Sequence, residues 1–135
     1  MSQNDSVRPR PDRDPQPAAC AQRGTLALRS ACSEEELRAA VDAFLADLTR
    51  FLREQGCELI GHIKGMLEAG EMGHLYFSVT SFEKEAGYKG GLTGDLTEVD
   101  FVLNVIVYGV DSEKLEPAVL QGLRRHLGEV RKGQR

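Results

Sequence analysis

The sequence predicts an α+β domain: two helices packed on one face of a three- to four-stranded, mostly antiparallel sheet, in the order (β)αβββα. Three observations predict it. The stretch VDFVLNVIVYGV at 99–110 repeats apolar residues at period two, so Val99, Phe101, Leu103, Val105 and Val107 form one face of a strand that must be buried. A run starting at Ser33 repeats apolar residues at helical spacing behind a capping pattern. A second amphipathic helix follows the strand at once, with Asp111 or Ser112 as its cap.

Taken in order, residues 1–23 hold four of the five prolines among Ser, Asn, Gln, Arg and Asp. So little apolar surface cannot offset the entropy of ordering, and a disordered leader is expected. A single domain is expected over 24–131, with a frayed end at 132–135. TLALR at 25–29 reads as a short strand with Leu26 and Leu28 on one side. Ser33 and Glu36 then form a capping box, and three consecutive acids favour the positive end of a helix. Leu37, Val41, Phe44, Leu48, Phe51 and Leu52 supply its apolar stripe, so the helix is predicted over 34–55, with Gly56 as its stop.

CELIGHIKG at 57–65 and HLYFSVTSF at 74–82 alternate as two strands, and the short Gly-containing link between them predicts a hairpin. In the first, Leu59, Gly61 and Ile63 are assigned to one face and Ile60, His62 and Lys64 to the other. In the second, Leu75, Phe77 and Val79 face the core. Residues 83–98, with Gly87, Gly90, Gly91 and Gly94, read as a long flexible connection. The last helix carries Leu115, Val119, Leu123, Leu127 and Val130 on one side. Because Pro117 is costly inside a helix, regular turns are predicted to begin near Glu116, after a tighter lead-in.

Composition removes several function classes. A net charge of −4 disfavours a protein built to hold phosphate backbones. The αβββα order is shared with double-stranded-RNA-binding domains, but those need a basic start to the second helix, and here that place is DSEKLEP. Without an apolar run of about 18 residues or a signal-peptide core, a cytoplasmic protein is expected, bound neither to membrane nor to nucleic acid. Cys20, Cys32 and Cys57 are odd in number and without CxxC spacing, which fits reduced thiols. GYKGGLTG lacks both phosphate-loop spacings and precedes a strand where those motifs precede a helix. With no ligand-spaced His/Cys set and no GxSxG or Cys-His signature, no metal, cofactor or catalytic residue is assigned.

The residues left for function lie on the face of the sheet opposite the helices. Parity places His62, Lys64, Tyr76, Ser78, Thr80, Asn104 and Tyr108 there, as a polar binding surface or part of a subunit interface. Tyr76, Ile106 and Tyr108 have the amphipathic character of interface residues.

TLALR followed by the Ser33-capped helix, HIKG at 62–65, and VIVYGVDSEKLEPAVLQGL at 105–123 together resemble the C-terminal domain of CobW-type metallochaperone GTPases, over about residues 25–128. In that family HIKG corresponds to an R-x-K-G strand, so His62 stands where arginine is usual. The family's GTPase domain, with its phosphate loop and Cys-rich metal motif, has no counterpart in this sequence. The resemblance therefore implies a fold and a setting in metal or cofactor delivery, without GTPase activity. The expected function is a non-enzymatic accessory module that binds a protein partner or a second copy of itself. The alternatives are a metabolite binder or small enzyme using His62, Lys64, Tyr76 and Asn104 beneath the 83–98 segment, and a metal carrier using thiols and histidines.

Overall fold

The computed structural model describes residues 16–132, and a long central strand organises them. β5 (Leu96–Tyr108) sends Val99, Phe101, Leu103, Val105 and Val107 into the core, each at most 3% exposed. It pairs antiparallel with β1 (Pro17–Cys32) on one side and β2 (Leu59–Glu68) on the other. β3 (Gly73–Val79), β4 (Gly87–Leu92) and β6 (Gly128–Lys132) complete a six-stranded antiparallel sheet of order β4-β3-β2-β5-β1-β6. Helices α1 (Glu34–Glu54) and α2 (Ser112–His126) supply the second layer.

The class is α+β as expected, but the sheet has six strands, not three or four. β1 begins at Pro17, well before the short strand expected at 25–29, because its pairing with β5 organises residues of little intrinsic strand character. Residues 1–15 and 133–135, which include most of the expected leader and the end of the expected frayed tail, lie outside the described residues.

One added strand, β4, lies within the stretch read as a flexible connection. Two contacts to α1 fix it. Glu34 Oε1 accepts from the Leu92 N–H at 2.7 Å, and the Tyr88 hydroxyl donates to Asp42 Oδ1 at 2.5 Å. The Arg38 guanidinium also stands 4.4 Å from the Tyr88 ring centroid. Burial, and then Asp42, push the Tyr88 hydroxyl well above its usual pKa, so it remains a donor. Gly90, at φ +92°, suits this strand because a Cβ there would meet the His74 carbonyl oxygen at 2.5 Å. Tyr88→Phe is expected to cost about 1 kcal/mol and to raise amide exchange selectively over 87–92, read by hydrogen-exchange mass spectrometry.

The other added strand, β6, begins where the last helix was expected to continue. α2 ends at His126, and Val130 belongs to β6, paired with Leu26 of β1. Arg29 of β1 donates to the Arg125 carbonyl at 2.8 Å and also to that of Arg124, closing the helix end. At its start α2 is helical from Ser112, earlier than Pro117 suggested, with Asp111 capping the Glu113 N–H at 3.0 Å. Pro117 is the sixth residue of α2 and has no N–H to give the Glu113 carbonyl, so the helix continues through it with that bond unmade.

α1 follows its sequence closely. Ser33 Oγ accepts from the Glu36 N–H at 3.2 Å, and Glu36 Oε1 accepts from the Ser33 N–H at 3.0 Å. Leu37, Val41, Phe44, Leu45, Leu48 and Leu52 are buried, with Phe51 half-buried beside them. Between the helices, Asp47 accepts from His126 Nε2 at 2.6 Å and from Arg125 at 3.0 Å, while Arg50 lies 2.8 Å from its other oxygen. The hydrogen bonds from His126, and next from Arg125, hold the Asp47 carboxyl at about 2 instead of its usual 3.8. A depressed folded pKa contributes stability that is present above the unfolded value and lost as pH falls through the folded one. Asp47→Asn is therefore expected to remove part of the acid-induced loss of stability between about pH 4 and pH 2, seen as a flatter melting temperature against pH.

Candidate functional site

Among the described residues nothing covers the sheet face away from the helices, and its geometry follows from strand register. β2 carries the reference column. Along it, Lys64 is opposite Ser78 of β3 and Asn104 of β5; Met66 is opposite Tyr76 and Val102; Glu68 is opposite His74 and Asp100. Three parallel rows result, spaced about 7 Å apart along the strands. The middle row, Tyr76–Met66–Val102, is mostly apolar, and the rows on either side are polar. β1 extends them with Ala21, Arg23 and Thr25, opposite Asn104, Val102 and Asp100. Thr25 Oγ1 donates to Asp100 Oδ1 at 2.9 Å, and the His74 and Tyr76 rings meet edge to face at 5.1 Å.

A β-bulge decides which side chains reach this face. The β2–β5 register shifts between Ile60 and His62, with Gly61 as the extra residue. A Cβ at Gly61 would stand 2.9 Å from the Ile106 carbonyl oxygen, so the close approach there depends on glycine. Because of the bulge both Ile60 and Ile63 point into the core, at 3% and 0% exposure, while Leu59 is 56% exposed. This reverses the assignment of Leu59 and Ile60 made from simple alternation. His62 remains on the open face, opposite Ile106.

Of the seven candidate residues, register brings His62, Lys64, Tyr76, Ser78, Asn104 and Tyr108 onto this one face. Thr80 is exposed just beyond the end of β3. Lys64 and Asn104 are direct cross-strand neighbours, while His62 lies one row further along, toward Tyr108 and Leu59. Sequence reasoning did not select Met66, Glu68, His74, Asp100, Val102 or Arg23, which complete the rows. Parity assigns His74, Asp100 and Val102 to the face, but Arg23 fell in the expected leader and Met66 and Glu68 beyond the expected end of β2; which residues are opposite one another depends on a register that the sequence does not state.

A groove of about 520 Å³ lies between α1 and α2, lined by Leu48, Phe51 and Ala118 among others, and none of the seven candidates lines it. On the open face there is a depression of about 290 Å³ between Arg23, Met66, Glu68 and Asp100. β4 extends the sheet edge and is tied by Tyr88 to α1, on the helix side, so it does not roof the open face.

Among the described residues, no three His, Cys, Asp or Glu side chains converge as metal ligands. Burial raises the pKa of the Cys20 and Cys32 thiols, away from the thiolate that a soft metal ion requires. His126 is engaged with Asp47. No helix among the described residues is long and apolar enough to cross a membrane.

These elements define a two-layer α+β domain with one open antiparallel sheet face. No family model matches the chain, and no curated protein matches it. Among solved structures it is similar to part of the Zn(II)-bound YjiA GTPase from E. coli, with a TM-score of 0.38 and 16% identity, over 74% of this chain and 28% of that one. This chain spans little more than a quarter of that GTPase's length.

Proposed function

We propose that the chain is a non-enzymatic protein-binding module whose contact surface is the open sheet face, working as an accessory in a metal- or cofactor-delivery GTPase system. One observation carries the binding reading. A long antiparallel sheet leaves Tyr76 at 45% and Leu59 at 56% exposure, with Met66, Val102, Ile106 and Tyr108 half-buried between polar neighbours and no layer above them. Such a flat surface, with amphipathic tyrosines and few charges at its centre, suits a protein contact better than a small ligand, which needs walls. The delivery setting rests on the sequence resemblance.

The test is capture with the tagged full chain, with and without GTP, comparing the native sequence with Val102→Arg. Val102 is at the centre of the face, and its substitution leaves the core untouched. The native chain is expected to retain a defined protein, or a second copy of itself, at least about tenfold better than Val102→Arg does. Gln121→Arg, on the exposed side of α2, is expected to retain it fully. Equal retention by all three would overturn the reading.

A further inference from the structure

We infer that the protein on the open face is a second copy of this chain, docked face to face about a two-fold axis over Met66. This rests on the reading of that face as a protein-binding surface. A two-fold contact must be self-complementary, because every patch meets the patch that the rotation brings onto it. An axis over Met66, perpendicular to the strands, maps the middle row Tyr76–Met66–Val102 onto itself. It also exchanges the two flanking rows.

Across β3, β2 and β5 the exchange matches each flanking residue with a chemical complement, while the exposed Arg23 of β1 and Lys89 of β4, at the two ends of the middle row, face their own counterparts. Lys64 of one copy comes opposite Glu68 of the other, Asn104 opposite Asp100, and Ser78 opposite His74, since each pair occupies one strand at equal distances on either side of the middle row. The cation meets the carboxylate, the amide donor meets an acceptor, and the hydroxyl meets the imidazole. Tyr76, Met66 and Val102 meet their own counterparts at the centre, where apolar and aromatic side chains belong. Aligned sheets pack in this way about 10 Å apart.

Within one chain the same charges are left unsettled. Lys64 and Glu68 have no ion-pair partner among the described residues. Glu68 and Asp100 stand directly opposite each other on neighbouring strands, an unfavourable like-charge pair that Lys64 from a second copy relieves. Among the described residues Asp100 has Thr25 as a donor and no ion-pair partner.

Sedimentation equilibrium of the full chain tests this with a charge swap. The native chain is expected to dimerise. Lys64→Glu and Glu68→Lys alone each place like charges in both symmetry-related contacts, and each is expected to weaken the dimer at least about tenfold. An equimolar mixture of the two restores both attractions, so it is expected to recover a heterodimer of near-native affinity. Both positions are exposed, and unchanged circular dichroism and melting temperature confirm folded variants. A monomeric native chain overturns the inference, as does a dimer that neither single variant weakens or that the mixture does not rescue. If the native chain is monomeric yet Val102→Arg still abolishes capture of a different protein, the face binds that protein and only the two-fold docking fails. If capture is also unaffected, the reading of the face fails with it.

Discussion

Phe44→Ala is expected to lower the unfolding free energy by about 3–5 kcal/mol, measured by urea denaturation. Phe44 is 0% exposed, and its ring packs closely against Gly122 of α2. That closeness depends on Gly122. A Cβ there would stand 2.9 Å from Phe44 Cδ1 and 3.0 Å from Cε1, so the ring occupies the space of the missing side chain. Removing the ring leaves a void that neither helix closes without breaking the His126–Asp47 and Arg125–Asp47 contacts beside it. Gly122→Ala alone brings two opposed effects: overpacking of about 1–3 kcal/mol against a helix-propensity gain of about 1 kcal/mol. In the Phe44→Leu/Gly122→Ala pair the new methyl enters space that the smaller side chain vacates. The double variant is expected to be more stable than the sum of the single effects by about 0.5–2 kcal/mol. A loss below about 1 kcal/mol for Phe44→Ala would mean that the helices close over the site, against the packing argument.

The contrast between α1 and β4 shows what the sequence made legible. α1 was readable because its determinants are local: a capping box four residues long and an apolar stripe at helical spacing. The central strand was readable for the same reason, through unbroken alternation. β4 was not, because GYKGGL has no alternation and its anchors, Asp42 and Glu34, lie 46 and 58 residues away in sequence. The end of α2 failed in the same way. Leu123, Leu127 and Val130 continue a helical pattern, while the cap that closes the helix is Arg29, more than 90 residues earlier.

The open face was legible by composition but not by pairing. Strict alternation assigned most of the candidates to it, and misassigned Leu59 and Ile60 only because a bulge at Gly61 inserts one residue into β2. What alternation does not supply is register, and the three complementary rows exist only in the register of β2 against β3 and β5.

Gly65→Val is expected to cost at least about 2–3 kcal/mol, although valine is a better strand former than glycine. Gly65 lies on the core side of β2 between Ile63 and Leu67, directly opposite Phe77 of β3. The Phe77 ring crosses over it so closely that a Cβ would fall 2.2 Å from Cζ and 2.6 Å from Cε2. Phe77 has little room to retreat. It is 6% exposed, and its centroid is 6.4 Å from that of Tyr88, itself held by Asp42 and Arg38. Gly65→Ala is expected to cost less, about 1–2 kcal/mol, and adding Phe77→Leu to Gly65→Ala is expected to recover part of that loss. Tyr76 is the next residue along β3 and points the other way, so a displaced Phe77 also shifts the middle row of the open face. Gly65→Val should therefore weaken binding together with stability, whereas Lys64→Glu, one residue away and facing outward, should weaken binding and leave the melting temperature unchanged. Adjacent residues of one strand thus separate the two sheet faces experimentally: a loss of binding at Lys64 without loss of stability is one that core packing does not explain.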